Sequence, residues 1–75
     1  MNKERRKQLK QWSKKAETLK DELESILWDE QDYHDNIPEN LQYSSRAEDS
    51  EEAIDCIEEA IETLNEAIEK VDEIM

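Results

Sequence analysis

Apolar positions recur at alternating steps of three and four residues in both halves of this chain. The first row reads Leu9, Trp12, Ala16, Leu19, Leu23, Ile26, Glu30, Tyr33, Ile37. The second reads Ala47, Ser50, Ile54, Ile57, Ile61, Leu64, Ile68, Val71, Met75. Each row marks one narrow stripe along an α-helix. If the chain reverses near residue 40, positions whose numbers sum to 80 lie opposite each other: Leu9 meets Val71, Trp12 meets Ile68, and Ile26 meets Ile54. The two polar members, Glu30 and Ser50, then fall in the same layer. The pattern predicts an all-α fold, a coiled-coil-like antiparallel helical hairpin with Trp12 in its core.

The punctuation of the chain places the helix ends. Pro38 disfavours helical geometry at Ile37, and Asp35-Asn36 suit a helix terminus. The first helix is expected over 3–35 and the connection over 36–44, with one helical turn at Pro38–Gln42, since proline suits a first turn. Ser45-Arg46-Ala47-Glu48 has the serine-x-x-glutamate form of a capping box, which predicts a second helix over 45–74. The absence of glycine fits long uninterrupted helices in a single domain spanning residues 1–75.

The second helix carries an extra row, Ala53, Ala60, Ala67 and Ile74, beside its stripe. Three apolar positions in seven exceed what one partner helix covers. A hairpin this small has a thin core, and one cysteine, Cys56, cannot form an internal disulfide. The extra row therefore predicts a homo-oligomer, two hairpins joined in a four-helix bundle. Neither a membrane-length apolar run nor a signal-peptide core is present, so the expectation is a soluble, cytoplasmic protein with no membrane partner.

Charge divides the chain unevenly. Charged residues make up 43% of it and the net charge is −12, values shared with disordered chains, but disorder would not preserve a heptad period. Residues 1–20 hold eight cations and two acids, net +6; residues 58–75 hold seven acids and Lys70, net −6. The hairpin sets these segments side by side, with Lys7 expected near Glu73 and Lys14 near Glu66. Residues 21–57 hold thirteen acids against Arg46 alone, net −12, so the whole excess sits at the hairpin tip.

The stretch Asp35-Asn36-Ile37-Pro38-Glu39-Asn40-Leu41-Gln42, followed by Ser44 and Arg46, resembles the loop of a group of short, acidic, uncharacterised helical proteins of Gram-positive bacteria and their phages and mobile elements. The likeness extends to the basic start and the Ala/Glu/Ile-rich second helix. It implies a bacterial or phage setting and no catalytic residues.

Candidate chemistry gathers at the tip. Glu30 interrupts an apolar stripe, which is costly unless its carboxylate is paired or hydrated. Arg46 is its expected partner, with Ser50 between them, either as a layer that fixes register or as a small site with Tyr33 and His34. Trp28 lies opposite the seam among acids, where an exposed tryptophan suits an interaction anchor. Glu30 and His34 have a spacing able to share a metal, but two ligands do not make a site, and no metal or cofactor is expected. No nucleophile–base grouping suggests an enzyme. The N-terminal cations are expected to be occupied by the C-terminal acids, which argues against direct nucleic-acid binding.

The leading expectation is a non-enzymatic interaction protein whose tip (Trp28, Asp29, Glu30, Asp32, Tyr33, His34, Asp35) engages a basic protein surface, in the manner of a phage or mobile-element inhibitor that imitates DNA's charge. The alternative is an oligomeric sponge for a small ligand such as a nucleotide, using Trp28, Tyr33, Asn36, Asn40, Gln42, Tyr43, Arg46 and Ser50 for stacking and hydrogen bonding.

Overall fold

The computed structural model describes residues 1–41 and 44–75. Helix α1 spans Lys3–Asp35, a 3₁₀ turn covers Glu39–Leu41, and helix α2 spans Ser45–Asp72. The two helices lie against each other in a rod of 59 × 15 × 13 Å. Among the described residues no helix is long and apolar enough to cross a membrane.

Local chemistry accounts for the ends of the helices. Asn2 caps α1 by accepting the Arg5 amide on its side-chain oxygen at 2.7 Å, satisfying one of the first-turn donors. At the other end Asn36 folds back: its side-chain amide donates to the Asp32 carbonyl at 2.7 Å and its backbone amide to the same oxygen at 3.1 Å. Reversal then proceeds through Pro38, whose carbonyl accepts from the Leu41 amide at 2.8 Å. Among the described residues the turn uses no left-handed backbone and no cis peptide, in keeping with a chain that lacks glycine.

The start of α2 departs from the sequence reading. Its N-cap is Ser44, not Ser45, and the Ser44 side chain makes no capping hydrogen bond. Ser44 Oγ donates back to the Leu41 carbonyl, binding the turn to the helix it precedes, while the Glu48 amide reaches the Ser44 carbonyl at 3.1 Å. Ser45 lies inside the helix and the Ser44 hydroxyl is engaged by the turn, so the anticipated Ser45–Glu48 capping box does not form.

The seam also differs from the reading on one of its two sides. On α2 the expected stripe faces α1 except at its last member: Ala47, Ser50 and Ile68 are buried, Ile54, Ile57, Ile61, Leu64 and Val71 are half-buried, and Met75 is exposed. On α1 only alternate members do so, namely Leu9, Ala16, Leu23, Glu30 and Ile37. The interleaved row is exposed: Trp12 at 40%, Leu19 and Ile26 at 53%, and Tyr33 at 44%. Trp12 is thus not core. The row one position later, Ser13, Lys20, Leu27 and His34, takes its place and is buried or half-buried. Helix α1 is turned by about 50°, half the angle between successive residues, relative to the predicted seam.

Polar contacts explain the turn. Ser13 Oγ donates to Asp72 Oδ1 at 3.1 Å, Lys20 Nζ to Asn65 Oδ1 at 3.2 Å, and His34 Nε2 lies 3.2 Å from Glu51 Oε1. These pairs lie along one edge of the seam, seven and then fourteen residues apart with Leu27 between, and each number pair sums to 85. Lys20 also reaches Glu17 at 3.4 Å while its stem lies along the seam. Bringing these groups together sets the apolar row of α1 aside. The expected pairs Lys7–Glu73 and Lys14–Glu66 are absent from the ion pairs among the described residues, which involve only Lys20 and His34.

Because Ile68 is 2% exposed, Ile68→Ala should cost about 2–4 kcal/mol in urea unfolding, whereas Glu59→Ala on the exposed face should stay within about 0.5 kcal/mol.

Candidate functional site

The tip is built where α1 ends and α2 begins, and its centre is the Glu30–Ser50 layer. Ser50 Oγ donates to Glu30 Oε1 at 2.9 Å, with Ser50 buried and Glu30 half-buried. Nearby Ala47 and Ile37 are buried and close the apolar end of the seam. The carboxylate is therefore hydrogen-bonded across the helices by a short side chain. Arg46 does not supply the anticipated partner: it is exposed and makes no ion pair among the described residues. Ser50 lies directly across the seam from Glu30, while Arg46 lies one turn earlier and points to solvent.

His34 turns to Glu51, with Asp35 at 4.0 Å on its other nitrogen, whereas Glu30 turns to Ser50. The two residues whose spacing suits a shared metal thus serve separate contacts. Among the described residues no three His, Cys, Asp or Glu side chains converge on a metal position. Cys56 is exposed on α2.

The outer surface of the tip is acidic, and Trp28 is the most exposed of its large apolar side chains. Trp28 is 64% exposed, and Asp29, Asp32 and Asp35 are exposed around the same end of α1. Tyr33 is exposed too, but five residues from Trp28 it stands roughly 140° away around the helix. Trp28 and Tyr33 therefore present two faces and do not form one stacking platform. Asn36 is used in ending α1, and Asn40 is exposed in the 3₁₀ turn. The candidate positions Gln42 and Tyr43 lie outside the described residues.

The opposite end of the hairpin has the contrary character. A cleft of about 450 Å³ is lined by Lys3, Arg6, Lys7, Lys10 and Met75. Pattern reading did not single it out, because these cations were assigned to pairing with the C-terminal acids. The edge ladder of Ser13, Lys20 and His34 was likewise missed: spacing of seven was its only sign, and hydrophobic rows beside it were louder.

Comparison with known proteins finds no matching family, no matching curated protein and no matching solved structure.

Ser50→Ala would leave the half-buried Glu30 carboxylate without its protein donor, and urea unfolding should report a loss of about 1 kcal/mol. Glu30→Leu should be neutral or stabilising in the same assay, because an apolar layer replaces a desolvated carboxylate.

Proposed function

We propose that this chain is a non-enzymatic interaction module that acts through its acidic hairpin tip, binding a basic surface on another protein. The observation that carries the reading is the exposed Trp28 set among Asp29, Asp32 and Asp35, in the segment that holds the entire −12 excess. An acidic field steers a basic partner toward the tip, and a desolvated tryptophan supplies the anchoring energy that screened surface charges do not. A partner that normally grips DNA phosphates fits this chemistry. The likeness of the loop Asp35–Gln42 to that of small phage and mobile-element proteins supports a role as an inhibitor in a bacterial or phage setting.

The module works as a homo-oligomer, two hairpins closing into a four-helix bundle. Two features support this. The seam of a lone hairpin buries only two rows from each helix; the Trp12–Tyr33 row of α1 stays exposed, and the extra row of α2 is only partly covered, with Ala60 and Ile74 exposed.

The test is capture of partners from a bacterial lysate with wild-type protein, with Asp29→Lys/Asp32→Lys/Asp35→Lys, and with Trp28→Ala. Wild type should retain a specific basic protein that duplex DNA or elevated salt displaces. Both variants should lose it at least about tenfold while keeping wild-type helicity by circular dichroism. Equal retention by wild type and the charge-reversed variant contradicts the reading, as does failure of wild type to retain any specific partner.

A further inference from the structure

The exposed row of α1 and the extra row of α2 lie on the same face of the hairpin. In an antiparallel pair, the two edges of the seam are distinct. One edge is occupied by the polar ladder Ser13–Asp72, Lys20–Asn65 and His34–Glu51. Rotation of α1 toward that ladder moves Trp12, Leu19, Ile26 and Tyr33 to the other edge. Helical-wheel counting puts Ala53, Ala60, Ala67 and Ile74 of α2 on that edge as well. Together they make a long apolar face that the hairpin covers only at Ala53 and Ala67, which are half-buried.

We infer that a second copy of this chain covers that face, packed so that the two acidic tips point to opposite ends of the assembly. The inference rests on the self-association reading above and adds its surface and its orientation. The free row of α1 reads aromatic, aliphatic, aliphatic, aromatic, so it is its own complement under a two-fold axis. Trp12 meets Tyr33 of the second copy, and Leu19 meets Ile26 of the second copy, in an isologous contact of α1 against α1.

Charge selects this orientation over its alternative. The open half of each hairpin, residues 1–20 with 58–75, sums to zero, while the tip half carries −12. Pairing with tips together sets −12 against −12. Pairing with tips apart sets each tip against a neutral half whose α1 strip is cationic. Along α1 itself, net +6 over residues 1–20 is followed by seven acids and no Lys or Arg over residues 21–35. Reversed against a copy of itself, this helix aligns opposite signs throughout. Lys15, beside the free row, then approaches Asp29 of the second copy. None of the ion pairs among the described residues engages Lys15 or the other cations before Lys20. Trp28 stays outward in this arrangement, so the assembly offers two binding tips.

Pulsed dipolar spectroscopy tests the orientation, using a spin label at Asn40→Cys in a Cys56→Ser background, with sedimentation on the same sample. The two-fold axis passes between residues 22 and 23, about 19 Å along α1 from its end at Asp35, and the label lies in the turn beyond, so tips apart predicts a label separation of roughly 40–50 Å. A dimer with labels closer than about 25 Å has its tips together, as expected from helix packing distances, and overturns the orientation while leaving self-association intact. A monomer at every concentration overturns both, and assigns the face to a different partner. Ile26→Glu should weaken dimerisation more than about tenfold with helicity retained; an unchanged dimer would show that another surface makes the contact.

Discussion

Register is the constraint on which everything else in this protein depends, and one hydrogen bond marks it. Glu30 is the only acid in an apolar row, and Ser50 the only hydroxyl in the row opposite; the two meet at 2.9 Å. Sliding the helices by one heptad toward the C-terminus of α2 would place the carboxylate against Ile57, leaving it desolvated and unpaired. The contact is modest in energy, yet it penalises registers that set the carboxylate against an apolar side chain, which is how single polar layers specify coiled coils. With register set, the basic start of α1 lies beside the acidic end of α2, and the remaining negative charge gathers at the tip.

A second constraint follows from having more candidate rows than a two-helix seam can hold. Helix α1 offers Leu9–Ala16–Leu23, Trp12–Leu19–Ile26–Tyr33, and the mixed row Ser13–Lys20–Leu27–His34. Only two enter. The mixed row wins because each of its polar members finds a partner on α2, and because small Ser13 and Ala16 admit close approach while bulky Trp12 stays at the edge. Hydrophobic burial alone would have ranked the rows the other way. The apolar row set aside is the surface available for a further contact, which ties the packing of the hairpin to its proposed assembly.

Much of the architecture was legible in the residues. Pro38, the Asp35-Asn36 terminus and the two heptad rows give a helical hairpin, and the coincidence of Glu30 with Ser50 gives its register. The rotation of α1 was not legible, because a pattern of apolar spacing cannot see that Lys20 and Asn65, or His34 and Glu51, will pair across an edge. The cap of α2 falls one residue earlier than the spacing suggests, because Ser44 and Ser45 are chemically equivalent as written; the extended backbone of Ser44 and its bonds to Leu41 and Glu48 distinguish them. At the tip, the exposure of Trp28 followed from its place on the helical wheel, while Arg46 was credited with a pairing that Ser50 makes. Charge counting carried the functional reading furthest, since it depends on sequence alone and survives small rotations of a helix.

The central claim is that the chain doubles back with Glu30 directly across from Ser50. The most direct measurement is oxidation of Glu30→Cys/Ser50→Cys in a Cys56→Ser background, followed by a non-reducing gel and a peptide mass map. The account predicts rapid formation of a Cys–Cys link within one chain, migrating as a monomer. Free thiols under the same conditions, or links formed only between chains, would contradict it.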